Sequence, residues 1–242
     1  MIIFKKEVKQ KSAPKEKSSP RRRGNITVFP MKQGQRTPVQ SRSKERLDLI
    51  LRTAKELIGE KGIDAVSMRE IAQSAGIQIG SLYQYFPGKN TLLLTIMRDY
   101  YDRIYAETKT LLDQVTNAEE LEIAGEKAIL QFAEFFRSDT ALANLWAGAR
   151  AIPELVSEDN LDTYRNAELI VKTTLRCLPG LKENDLKPFA LFLSHTMGTI
   201  VRFAGEIEKK EGEEILKECQ EIFRLRLKSL IDLSKSSRKK NK

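Results

Sequence analysis

The sequence predicts an all-α protein, on three observations. Apolar residues recur every three or four positions from Leu47 to near the end of the 242-residue chain, which is the spacing of one face of a helix. Ser67 and Glu70 have the spacing of a capping box, which marks the start of a helix. No segment alternates apolar and polar residues between hairpin turns, as a strand would. With 40% apolar residues, the chain can bury a core.

Both ends of the chain are basic, and we predict that both are disordered. Residues 1–41 carry 11 Lys or Arg against two acidic residues, and they include four prolines, which break helices. Residues 235–242 carry five basic residues and no acidic one. Basic ends are typical of a chain that binds a polyanion, and equally of a solubilising tail.

Residues 42–90, which we call the head, predict three short helices. The first has apolar residues at helical spacing from Leu47 and ends at Gly62, a helix-ending glycine. Ser67 opens the second helix and Gly76 ends it. The third helix is predicted over residues 78–86 and stops at a Pro-Gly pair.

Residues 91–234, which we call the body, predict a bundle of longer helices with a net charge of −7. A long helix runs from about Lys89 to Val115 and joins the head to the body. Further helices are predicted at about 118–137, 139–150, 158–178, 184–207 and 212–233.

Residues 66–86 have the sequence of a helix-turn-helix. Ala72 is small enough for two helices to cross closely, while Ile71 and Leu82 supply apolar faces that pack together. Gly76 lies where the turn needs a positive φ, which glycine adopts at little cost. The second helix of such a pair enters the major groove of DNA. A helical hairpin within an ordinary core would use similar residues, but the polar outer face favours DNA binding.

This outer face supplies the predicted DNA contacts. Its polar side chains are expected to reach base edges, and its tyrosine hydroxyls and a lysine to reach phosphates. Backbone amides at the start of the second helix are expected to receive a phosphate as well. The predicted DNA-binding residues are Ser67, Arg69, Gln78, Ile79, Gly80, Ser81, Tyr83, Gln84, Tyr85 and Lys89.

The segment from Leu47 to Leu94 resembles the N-terminal domain of the TetR family of transcriptional regulators. The resemblance is carried by ELIGEKGIDAVSMREIAQSAG and IGSLYQYFPGKNTLLL, with the pattern Leu82, Tyr83, Phe86, Lys89 and Leu92. The family often has histidine where Tyr85 stands. The resemblance implies a helix-turn-helix DNA-binding domain followed by a helical domain for ligand binding and dimerisation. It also implies a homodimeric repressor that a small apolar effector releases from a palindromic operator.

The body offers candidates for an effector pocket and for a dimer interface. Large side chains with a polar atom, such as Trp146 and Tyr105, suit a pocket, although the same spacings are those of an ordinary core. The pocket candidates are Tyr101, Tyr105, Phe132, Phe136, Trp146 and His195. Two apolar stripes on the last two helices are the dimer candidates, or else they complete the core of the single chain. These are Phe189, Leu193, Met197, Ile200, Leu216, Phe223, Leu227 and Leu230.

Composition also excludes several classes of protein. One histidine, His195, and two cysteines, Cys177 and Cys219, argue against disulfide scaffolds, metal sites and most acid–base enzymes. We expect no metal, no cofactor and no catalytic activity. No apolar run approaches the roughly 20 residues that span a bilayer, so we expect a cytoplasmic protein without membrane contact. The alternative function is a basic protein that binds nucleic acid without sequence preference or ligand response.

Overall fold

The computed structural model describes residues 38–240, with side chains described from 42 to 239. Residues 1–37, most of the predicted disordered extension, lie outside that range. Within it the chain forms nine α-helices and no strand, which confirms the all-α prediction. They are α1 (Pro38–Ala65), α2 (Met68–Ser74), α3 (Ile79–Tyr85), α4 (Lys89–Asp113), α5 (Ala118–Ser138), α6 (Thr140–Ala149), α7 (Pro153–Cys177), α8 (Glu183–Glu206) and α9 (Lys209–Lys240). None of these helices is long and apolar enough to cross a membrane.

Helix α1 begins earlier than the sequence predicts. It starts at Pro38, so residues 38–41, which we expected to be disordered, are helical. Proline is tolerated in the first turn because the amide hydrogen it lacks would have no partner there. At the other end, Gly62 has φ +77°, so the backbone leaves the helix at the predicted glycine.

The turn between α2 and α3 has the predicted geometry, whereas the predicted capping box at the start of α2 is only half formed. Gly76 has φ +64°, and the Glu70 amide donates to the Ser67 hydroxyl oxygen at 3.2 Å. The reciprocal half of the capping box is not formed, because the Glu70 carboxylate accepts from Lys61 Nζ at 2.5 Å. Ala72 and Leu82 are buried where the two helices meet.

Helices α1 and α6 join the head to the body along a close contact that we call the α1–α6 seam. Asn144 of α6 donates from Nδ2 to the carbonyls of Ile58 and Gly59, at 2.9 and 3.1 Å. A Cβ on Gly59 would lie 2.8 Å from Thr140 Oγ1, and a Cβ on Gly148 would overlap the side chain of Ile63. Two glycines, one on each helix, therefore permit the close approach.

Helix α4 provides the second connection. Its buried face includes Leu93, Ile96, Met97 and Tyr100, and it continues into the body, where it packs against α7. The Tyr100 hydroxyl donates to Asp139 Oδ2 at 2.7 Å, which ties α4 to the start of α6.

The last helix ends later than the sequence predicts. We expected it to end near residue 233 and a disordered tail to follow, but α9 continues to Lys240. Ser234 Oγ and Arg238 Nε donate to the Pro179 carbonyl, at 2.8 and 3.0 Å. These contacts hold the basic segment against the α7–α8 connection, and positive charge suits a helix C-terminus.

Candidate nucleic-acid interface and internal cavity

Helix α3 presents an outward face that the body leaves uncovered. Leu82 and Phe86 are 0% and 3% exposed and fix the inner side of the helix. On the outer side, Gln78, Tyr83 and Gln84 are exposed. An added Cβ at Gly80 would meet nothing within 4 Å, so this part of the helix is open to a ligand surface.

The other predicted contact residues on α2 and α3 divide by exposure. Ser67, Arg69 and Ile79 are exposed, whereas Ser81 is half-buried. The Ser67 hydroxyl oxygen already accepts the Glu70 amide, so it caps α2. The structure thus brings most of the predicted set onto one surface.

Tyr85 and Lys89 contact the chain itself. Both are half-buried; the Tyr85 hydroxyl lies 3.3 Å from Ser43 Oγ, and Lys89 Nζ donates to the Asp64 carbonyl at 3.4 Å. These contacts brace α3 and the start of α4 against α1. An ammonium has three donors, so Lys89 retains capacity for a phosphate.

The first turns of α1 add basic residues that the sequence analysis did not single out. Arg42, Lys44 and Arg46 are exposed, and Ser43 beside them contacts Tyr85 of α3. Their position next to α3 suits them to DNA phosphates flanking the groove. The signal in the sequence was the cluster of basic residues immediately before Leu47, the first apolar residue of the predicted helix.

A cavity that is partly open to solvent lies among α4 to α9. Of the six pocket candidates, Phe132, Trp146 and His195 lie on its wall. The other three do not. Tyr101 and Phe136 pack against Trp146, with ring centroids 5.0 and 4.9 Å from it. Tyr105 lies under the Arg165 guanidinium at 4.1 Å.

Helix α7 contributes polar residues to the cavity wall that are absent from the predicted pocket residues. Asp159 Oδ1 accepts from the Tyr101 hydroxyl at 2.7 Å and from Trp146 Nε1 at 3.1 Å. One turn further, burial raises the pKa of Asp162 to about 7. Asp162, Thr163 and Asn166 all line the cavity. Their helical spacing is visible in the sequence, but polar residues at this spacing are equally typical of a solvated helix face.

Comparison with known proteins identifies the head. The model of the family described as "Bacterial regulatory proteins, tetR family" matches residues 50–96, which contain α2, α3 and the start of α4. Residues 50–96 therefore form a TetR-family domain. This is a family of regulatory proteins, so the matched segment favours a regulator over an enzyme.

Curated relatives match parts of this chain. The HTH-type transcriptional repressor KstR2 of Mycolicibacterium smegmatis is 36% identical over 81 residues, or 34% of this chain and 38% of the repressor. The uncharacterised regulator YerO of Bacillus subtilis is 26% identical over 71% of this chain and 61% of its own length. The matches thus span less than two thirds of either relative.

A TetR-family regulator from Streptomyces coelicolor has a similar fold. Its crystal structure aligns with a TM-score of 0.60 and 22% identity, over 76% of this chain and 99% of the other. At this low identity the alignment shows a shared fold, and it includes helices of the body as well as the head.

The chain exposes a different part of α8 and α9 from the two stripes predicted for dimerisation. Leu216, Phe223, Leu227 and Leu230 are 2–7% exposed and belong to the core of the single chain, which favours the alternative to a dimer interface for these four. Phe189, Leu193 and Met197 line the cavity, and Ile200 is half-buried. Instead, the exposed apolar side chains are Phe192 and Phe203 on α8, with Ile222, Leu225 and Leu233 on α9. We call these five residues the α8–α9 face.

Proposed function

We propose that this protein is a dimeric transcriptional repressor that binds a palindromic operator through α3. The observation that carries the proposal is the outward face of α3, held in place by buried Leu82 and Phe86 within the segment that matches the family. Glutamine side chains such as Gln78 and Gln84 can read adenine in the major groove, and the Tyr83 hydroxyl can donate to a phosphate.

The α8–α9 face supports a homodimer. Five large apolar side chains there are 43–59% exposed, and they recur at helical spacing along both helices. Contiguous exposed apolar surface marks an interaction site. A two-fold dimer would pair this face with itself and place two α3 helices on two half-sites of an inverted repeat.

The two connections between head and body support a response to an effector. Ile104 of α4 and Trp146 of α6 both line the cavity, while α4 begins at the end of the head and α6 is locked to α1. A ligand that fits one arrangement of α4 and α6 better than another shifts the protein towards it. We propose that a small, largely apolar effector thereby changes the spacing of the heads and releases the operator.

Selection of random duplex DNA by the purified full chain, followed by sequencing, tests the proposal. We expect enrichment of an inverted repeat whose half-sites are separated by about one turn of DNA. An unenriched pool, with binding that disappears at moderate salt, would contradict it. Such a result would favour the alternative of basic segments that bind nucleic acid without sequence preference.

A further inference from the structure

The part of the cavity wall that α7 contributes carries two carboxylates on one face of the helix. Asp159 and Asp162 are three residues apart, so their side chains are neighbours, and both line the cavity. Asp162 Oδ1 is buried and has no hydrogen-bond partner among the described residues, although an Arg165 nitrogen lies 3.4 Å from it. Because an acceptor buried without a donor is costly, this oxygen points to a donor that a ligand supplies.

The other carboxylate lies against the aromatic part of the wall. Asp159 Oδ1 accepts from Trp146 Nε1 at 3.1 Å and from the Tyr101 hydroxyl at 2.7 Å, and both donors are neutral. Trp146 and Phe132 line the cavity as well, with their ring centroids 6.3 Å apart. A ligand group that contacts Asp159 and Asp162 therefore lies close to an indole ring.

The charges around the two wall carboxylates do not balance. Two guanidinium groups lie nearby, and each already has a carboxylate partner. Arg98 is 2.7 Å from Glu158, and Arg165 is 2.7 Å from Asp102. Among the described residues, Asp159 and Asp162 thus have no cation of their own, and this part of the wall carries excess negative charge when both are ionised.

The pKa of Asp162 reflects the same imbalance. Burial raises this pKa to about 7, Arg165 lowers it, and the three neighbouring carboxylates raise it further. Arg150, His195 and Arg202 also line the cavity, but they are not among the charges that act on Asp162. Without a partner cation, the carboxyl group reduces the excess charge by taking up a proton.

Most of the remaining cavity wall is apolar. It includes Leu112, Leu121, Ile129, Ile170, Phe223 and Leu227. Aliphatic side chains together with a carboxylate pair beside an aromatic ring suit a molecule with an apolar body and one cationic end.

We propose that the cavity binds an amphipathic organic amine whose ammonium group contacts Asp159 and Asp162 beside Trp146. An ammonium has three donors, so it can supply the missing donor at Asp162 Oδ1 and contact the second carboxylate as well. It also competes with Trp146 and Tyr101 for Asp159, which weakens the contacts of α7 with α6 and α4. The proposal rests on the proposed function, in which this cavity is the effector site.

The fluorescence of Trp146 tests the charge of the ligand, because Trp146 is the only tryptophan in the chain and donates to Asp159. The full chain without DNA is titrated at pH 8 with decylammonium, 1-decanol and decanoate, which have ten carbons each and differ in their polar end. We expect decylammonium to bind roughly tenfold more tightly than 1-decanol, since hydrogen bonds between charged groups are stronger than neutral ones. Decanoate should bind most weakly.

Each other order of affinity overturns the proposal. Equal or tighter binding of 1-decanol would show that the carboxylates do not select a cation. Tighter binding of decanoate would indicate an anionic ligand held by the arginines of the wall. Binding of none of the three probes would remove the amine site altogether.

A pair of variants on α7 tests the residue. Asp162→Asn should lower the affinity for decylammonium roughly tenfold and leave that for 1-decanol unchanged. The variant should remain folded at pH 8, because a neutral amide of the same shape replaces a buried carboxylate. Glu168→Gln is the matched control, since Glu168 is exposed on the same helix and is not on the cavity wall. Equal losses for both probes in Asp162→Asn would indicate a structural role and contradict the proposal.

DNA binding is measured separately on the same preparations. Selective amine binding by a chain that binds no specific DNA would leave the amine site standing and remove the proposed function. Specific operator binding without amine selectivity would do the reverse.

Discussion

At the scale of single residues, Asp162 links the stability of the protein to pH. An aspartate in an unfolded chain has a pKa near 3.9, and burial raises the pKa of Asp162 to about 7 in the folded chain. Arg165 opposes this rise, while Asp159, Asp102 and Glu158 add to it. Between pH 4 and pH 7 the folded state therefore holds a proton that the unfolded state has lost. Stability falls as pH increases through that range, by at most roughly 4 kcal/mol.

The Asp162→Asn variant should remove this dependence. Its free energy of unfolding should exceed that of the wild type by a few kcal/mol at pH 8, and the difference should become small near pH 4.5. Urea unfolding at the two pH values measures it. Asp232→Asn, on an exposed part of α9, is the control and should show no such change with pH. A benefit in Asp162→Asn that is equal at both pH values would contradict the prediction.

Side chains on α3 should divide into those that read sequence and those that only hold DNA. Gln84→Ala should lower the ratio of operator affinity to random-DNA affinity by tenfold or more, since a bidentate base contact contributes about 1–3 kcal/mol. Ser81→Ala should act in the same direction but less, because Ser81 is half-buried. Fluorescence anisotropy with the selected operator and a scrambled duplex measures both affinities. Equal losses on the two duplexes would refute base reading by Gln84.

Phosphate contacts should lower both affinities alike. Lys89→Ala should weaken binding to both duplexes and reduce the slope of log affinity against log salt by about one. Gln114→Ala, at the exposed far end of α4, is the control and should alter neither affinity. A loss confined to the operator would show that Lys89 acts through the position of α3.

At the scale of elements, the α2–α3 turn depends on one backbone angle. Gly76 has φ +64°, and an added Cβ would meet nothing within 4 Å, so any cost of a side chain there is conformational. Gly76→Ala should destabilise the protein by about 1–2 kcal/mol. Gly80→Ala is a close match: it is equally open but helical, and should leave stability unchanged or slightly increased. Thermal unfolding of both variants measures the effect, and equal melting temperatures would contradict it.

Local signals explain which elements the sequence could predict. Gly62, Ser67 and Gly76 each act through the backbone beside them, so the head was predicted closely. The start of α1 and the end of α9 were wrong because distant or positional contacts decide them: Pro38 fits a first turn, and Arg238 contacts Pro179.

At the scale of the whole molecule, the α8–α9 face should determine the oligomeric state. Phe192→Glu or Leu225→Glu should shift a dimer to monomers at micromolar concentration, because a dimer would bury an unpaired carboxylate. Sedimentation velocity measures this. Leu161→Glu is the control, since Leu161 is 62% exposed on α7 and outside the face. Wild-type protein that sediments as a monomer would remove the proposed dimer.

Long-range packing explains what the sequence could not predict. Helix α9 carries apolar residues on two faces, and spacing alone does not show that Phe223 and Leu227 point inward while Ile222 and Leu225 point outward. The cavity wall was only half predicted for the same reason. Trp146 stood out by size, whereas Asp162 became notable only once its burial was known.

The α1–α6 seam limits how the DNA-binding helices can move relative to α6. Glycines on both helices and the Asn144 amide hold α1 against α6, so these helices have little freedom to slide past each other. We therefore expect α1 and α6 to move together, so that the DNA-binding segment follows α6 at the cavity wall. In the proposed dimer, a change in the distance between the two heads would then arise deeper in the protein, where α6 and α4 meet α7 and α5. We therefore expect the affinity for DNA to be controlled by contacts between helices that lie far from the DNA.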